Sequence, residues 1–212
     1  MDTCKLLTAT ALVAALSIPT ITHASLVGRL AATEGGTDYQ AYYDTEADLT
    51  WLADANAAGT IMNWSDANSW AAGFSIDGVD GWRLPDTLQP DRNCGINNVP
   101  HGYVCTESEM GNLFYNSLGN TALFLSNTGP FNNIQTYFYW SAREFENLTS
   151  DAWSFDMGTG LQHYYGKTTN FSAWAVHDGD ISAAVSIVPI PASIWLFGSG
   201  LLGLIGLAKR RK

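Results

Sequence analysis

From Ile181 to Ala208 the chain carries no charged residue, and Lys209, Arg210, Arg211 and Lys212 follow at once. The densest apolar run, residues 192–208, would as a helix cross roughly 25 Å, just enough for the hydrocarbon layer of a bilayer. Positive charge clustered directly after a span stays cytoplasmic, so everything before the span is expected on the other side. A helix buried in a globular core has no need to gather its cations at one end. This feature takes the C-terminal segment out of any globular core and sets the compartment in which the rest folds.

The opening residues agree with that placement. Lys5 supplies a positive start, residues 6–21 form an apolar stretch, and Thr22-His23-Ala24 ends in a small residue before Ser25. That order is the order of a secretory signal peptide, with cleavage expected after Ala24. Cys4 precedes the apolar run and leaves with the peptide. The chain thus divides into a signal peptide (1–24), a globular domain (25–188) and an anchor segment (189–212), with its span at 192–208 and basic tail at 209–212.

The central segment is long enough for one domain with a real core. Its charge is lopsided: five Lys and Arg stand against nineteen Asp and Glu, a net charge of −14. Such a field disfavours nucleic acid and other polyanions as partners, and it tolerates neutral sugars, cations or basic surfaces. Two cysteines remain, Cys94 and Cys105, across a Gly/Asn/Pro-rich stretch. In an oxidising compartment this pair is expected to form a disulfide; the spacing is not CxxC, and no paired ligands sit beside it in sequence.

Two segments read as helices. Ser65 can cap a short one running from Asp66 to Ala72, with Gly73 as its stop. Thr106-Glu-Ser-Glu109 matches a capping box, with Met110, Leu113, Phe114 and Leu118 on one core-facing side. Strands are expected at Gln40–Tyr43 and Leu49–Leu52 around the Asp44-Thr45-Glu46 turn. Others are expected at Tyr137–Ala142, Ala152–Met157, Leu161–Tyr165, Ala173–Val176 and Ile181–Ile187. Residues 86–104 read as a long irregular excursion. The class is α+β, with antiparallel strands dominant and two short helices packed on them.

Two resemblances attach to particular blocks. Val188-Pro189-Ile190-Pro191, the glycine-punctuated apolar run and the tail Lys209, Arg210, Arg211, Lys212 resemble a PEP-CTERM sorting signal. Ile190 stands where that family's Glu would be, so the motif is a variant. The resemblance implies an exosortase-type processing enzyme as partner. It also implies anchoring in the inner membrane during sorting, then residence in the envelope or extracellular matrix of a Gram-negative bacterium. Over residues 39–178 the blocks are Tyr43-Asp44, Leu49-Thr50-Trp51, Trp64-Ser65-Asp66-Ala67, Gly81-Trp82-Arg83-Leu84-Pro85, Glu109-Met-Gly-Asn-Leu113, Tyr139-Trp140-Ser141-Ala142 and Ala152-Trp153-Ser-Phe155-Asp156. In this order they resemble the bacterial Lcl C-terminal-like domain family. That resemblance implies a C-type-lectin-like fold and a surface role in adhesion or glycan binding.

Candidate site residues follow from these blocks. Arg83, between Trp82 and Pro85, has the fork to clamp a carboxylate, or to bridge strands through an internal acid or backbone carbonyls. Trp140 and Trp153 could stack on sugar rings, or pack in the core. Gln89-Pro90-Asp91 matches a triplet from the calcium site of galactose-type C-type lectins, but no Trp-Asn-Asp element follows it. Asp77, Asp80, Asp86 and Asp91 could together hold calcium, which needs six to eight oxygens. His101, His163 and His177 are scattered in sequence. There is no nucleophile elbow and no P-loop, so the chain is expected not to be an enzyme and to need no cofactor beyond that possible calcium. The reading favoured by the sequence is an exported, membrane-sorted binding or adhesion module. The alternatives are a structural matrix protein without a specific ligand and a carbohydrate-active enzyme.

Overall fold

The computed structural model describes residues 25–95 and 101–181. The expected signal peptide, the span 192–208 and the sorting residues Pro189, Pro191 and Lys209–Lys212 lie outside them. Among the described residues no helix is long and apolar enough to cross a membrane.

The architecture is α+β, built mostly from antiparallel sheet. One sheet holds β1 (Leu26–Ala31), β2 (Tyr39–Asp44), β3 (Leu49–Leu52) and β7 (Val176–Asp178), in the order β1-β2-β3-β7. The other holds β4 (Phe138–Glu144), β5 (Asp151–Asp156) and β6 (Leu161–Gly166) in sequence order. The first sheet therefore unites the two ends of the domain. Its register aligns Leu26, Asp44, Leu49 and Asp178 in one row. Since β1 begins and β7 ends on that row, the chain enters and leaves the domain at the same end of the sheet.

The β2–β3 turn is held by Asp44, whose side chain is buried. Its Oδ1 accepts from the backbone N–H groups of Glu46 and Ala47, and its Oδ2 accepts from the Ser117 hydroxyl. The sequence signal for β1 is weak: all six residues are only partly buried, and a half-exposed edge strand shows no clean alternation. Expected strands 137–142, 152–157 and 161–165 appear within a residue or two of their bounds. The last pairing strand is Val176–Asp178 rather than 173–176, and of the expected strand at 181–187 only Ile181 is described.

Residues 171–176 stitch the two sheets together. The Trp140 N–H donates to the Ser172 carbonyl (3.0 Å), and the Leu52 N–H to the Ala175 carbonyl (3.1 Å). Arg83 and Val176 exchange two backbone hydrogen bonds of 2.9 Å. The core gathers around this segment, with Trp51, Trp82, Trp140, Trp153 and Trp174 all fully buried.

Both helices begin differently from expectation. α1 (Trp64–Gly73) is capped by Asn63, not Ser65: the Asn63 Oδ1 accepts from the Asp66 N–H at 3.1 Å. Asn is as good an N-cap as Ser, and this start puts Trp64 at the first helical position. There its indole N–H reaches the Ser141 carbonyl at 2.8 Å. α2 (Glu109–Asn112) follows Ser108 and widens at once into a π-helical turn, Leu113–Ser117. The capping box at Thr106 does not form, because Glu109 spends its carboxylate on Arg83 and the Asp86 N–H. A charged, two-pronged partner outcompetes a cap. Met110, Leu113, Phe114 and Leu118 are buried.

Cys94 and Cys105 are joined in a disulfide. Between Asp86 and Gly95 the chain forms no helix or strand, so the bridge ties an irregular excursion to the start of α2.

Candidate functional site

Where α1 begins, the preceding loop runs against the segment after β6. Met62 and Phe171 exchange backbone hydrogen bonds of 2.9 and 3.0 Å, and the Trp64 N–H donates to the Lys167 carbonyl at 3.0 Å. The two segments form the sides of a groove of about 420 Å³ lined by Asn63, Trp64, Ser65, Lys167, Thr168 and Asn170. The Lys167 ammonium lies 4.4 Å from the centre of the Trp64 ring and pairs with Glu144, so its charge is compensated locally. The indole is pinned at its N–H and only partly buried. Ser65, Thr168 and Asn170 are exposed. Their side chains spend no hydrogen bond on the rest of the described protein, which leaves two hydroxyls and an amide for a ligand. A pinned aromatic rimmed by uncommitted neutral polar groups is an arrangement that suits sugars.

Arg83 is consumed internally. Its Nη1 and Nη2 bind the two Glu109 carboxylate oxygens at 2.8 and 2.7 Å, while Nη2 and Nε also reach Asp178 Oδ1 at 2.5 and 3.1 Å. Burial works against its charge, but the hydrogen bonds to Glu109 and Asp178 outweigh burial and raise the guanidinium pKa further. The same contact holds the Asp178 carboxyl below the usual carboxylate range. Arg83 thereby clamps α2 to the end of β7. Trp82 packs edge-on against Phe74 and His177, and Pro85 gives its carbonyl to the Ala142 N–H at 2.9 Å.

Trp140 and Trp153 require a correction. Both are completely buried, so neither offers a face to a ligand. Trp140 lies against Phe171 and donates its indole N–H to the Met62 carbonyl at 2.9 Å, and Trp153 is covered by Phe145 and Tyr164. The aromatic that does line a groove is Trp64, together with Lys167, and neither stood out as a site residue in the sequence. Their contact is made by folding, across about a hundred residues of chain.

The acidic residues that could have held calcium do not converge among the described residues. Asp77 accepts from the Gln40 amide at 2.6 Å, and Asp86 accepts from the Thr87 N–H and lies 3.9 Å from Arg143. Asp91 is buried, which raises its carboxyl pKa, and it accepts from the Ser108 N–H and hydroxyl at 3.1 and 2.9 Å. Among the described residues one group of three potential metal-ligand side chains lies close together, Asp91, Cys94 and Cys105. Its two sulfurs are bonded to each other and so are not thiolate ligands.

Two of the three histidines among the described residues, by contrast, meet. Gly102 and Gln162 exchange backbone hydrogen bonds of 2.9 and 2.8 Å, which sets His101 beside His163 with ring centres 5.3 Å apart. Burial and the neighbouring His163 both lower the pKa of His101. Compared with known proteins, the chain matches no family model and no curated protein.

Proposed function

We propose that this chain is an exported, membrane-sorted binding module whose ligand is a glycan seated in the Trp64 groove. The observation that carries the reading is the groove itself: a fixed, partly exposed indole beside hydroxyl and amide groups that the protein leaves unused. Neutral pyranoses suit it better than polyanions, since the one cation present is already paired with Glu144 and the domain is strongly acidic. The block resemblance to the Lcl C-terminal-like family, with its C-type-lectin-like character, supports the same reading. So does the two-sheet α+β architecture. We read the module as a binder rather than an enzyme.

A glycan array with the full chain, run with and without calcium, tests this. Binding is expected in both conditions, and Trp64→Ala should weaken it by about tenfold or more, the loss seen when an aromatic anchor is truncated. No binding in either condition would sink the glycan reading in favour of a structural matrix protein.

The sorting part of the proposal rests on the apolar run, the basic tail and the variant Pro189-Ile190-Pro191 motif. Mass spectrometry of the mature protein from its host should show a chain beginning at Ser25 and lacking Lys209–Lys212. A mature chain that keeps its basic tail would count against exosortase-type processing.

A further inference from the structure

We infer that His101 and His163 form a binding site for a divalent cation that favours imidazole, such as Zn(II), Cu(II) or Ni(II). The two rings come from distant parts of the chain, one from the disulfide loop and one from β6. Their centres are 5.3 Å apart and their planes inclined by 32°. Two imidazoles bound to one tetrahedral ion at about 2.0–2.1 Å have ring centres roughly 5 Å apart, a spacing that this pair matches.

The protonation pattern also fits. His163 Nδ1 lies 2.7 Å from the Tyr164 carbonyl oxygen. A carbonyl only accepts, so Nδ1 carries the proton and the Nε2 lone pair is left for a ligand. That is the backbone-anchored tautomer found in histidines that hold metals.

The pair is held in place before any ion arrives. The Gly102–Gln162 hydrogen bonds lock the His101 backbone to β6, and Gly95 donates to the Tyr103 carbonyl at 2.8 Å across the disulfide loop. The His163 ring stacks on Tyr164, and Tyr165 flanks it at 5.2 Å. Both imidazoles are only partly buried, so water can fill the remaining positions around the ion. The acidic field of the domain raises the local concentration of cations. His177 is different: it packs on Trp82 in the first sheet.

The test is isothermal titration of the oxidised full chain, in detergent, with ZnCl2. One saturable equivalent is expected, weakened by about tenfold or more in His101→Ala and in His163→Ala and unchanged in His177→Ala. As a check that needs no variant, Ni(II) added to the wild-type protein should broaden the imidazole NMR signals of His101 and His163 before those of His177. Absence of saturable Zn(II) binding, binding that both alanine variants retain, or broadening that begins at His177 would each overturn the site.

Discussion

Trp174→Ala should lower the unfolding free energy by about 4 kcal/mol, the cost of emptying a fully packed tryptophan site. Trp174 is completely buried. Its ring centre is 5.1 Å from those of Trp51 and Phe131 and 5.9 Å from that of Tyr139, and its indole N–H donates to the Leu52 carbonyl at 2.9 Å. These neighbours come from β3, β4 and the segment before β4, so the cavity would open where the sheets are joined and could not collapse from one side. Loss on this scale is a large share of the roughly 5–15 kcal/mol that holds an ordinary domain together. Urea titration followed by tryptophan fluorescence should show a much lower midpoint with an unchanged slope. Trp174→Phe keeps most of the volume and should cost less, with the Leu52 carbonyl losing its partner. A midpoint within error of wild type for Trp174→Ala would refute this account of the core.

Gly111→Ala should also be strongly destabilising, against what helix propensity predicts. In an open helix the change gains up to about 1 kcal/mol. Here the added methyl would collide with the backbone carbonyl of Cys105, which the disulfide to Cys94 holds in place. Backbone cannot swing aside as a side chain can, so α2 has to shift. With it would go the Glu109 carboxylate that clamps Arg83. The expected cost is about 3 kcal/mol, the upper end for overpacking. Gly73→Ala is the control: it sits in α1 with nothing near the new methyl and should be neutral or slightly stabilising. Thermal unfolding of the two variants side by side reads the opposite signs, and equal behaviour would refute the steric argument.

Much of the sheet was legible because local chemistry announces it. Asp44 marks its own turn, and the strands from Phe138 to Gly166 show up as aromatic runs, the last two set off by Gly158, Gly160 and Gly166. The disulfide followed from compartment and composition. The start of α2 was misplaced because side chains suited to capping were claimed by tertiary partners, and that of α1 because Asn63, two residues earlier, caps as well as Ser65. Glu109 went to Arg83, and the Ser108 hydroxyl to Asp91. Windowed reading cannot see such competition. The same limit hid the sites. Trp64 with Lys167, and His101 with His163, become neighbours through backbone bridges between remote segments. Trp140 and Trp153 were conspicuous in their motifs, yet they are buried: Trp153 on the central strand β5, and Trp140 on β4 beneath Phe171.

The row formed by Leu26, Asp44, Leu49 and Asp178 makes the domain close to a ring. Strands β1 and β7 are three spacings apart, roughly 14 Å, and a forked ion pair already fastens one to the segment after the other, from Arg29 Nε and Nη2 to Asp180 at 2.6 and 2.7 Å. About five extended residues could join residue 181 back to residue 25. Circular permutation, with new ends opened in an exposed turn such as residues 121–124, would then leave every strand pairing intact.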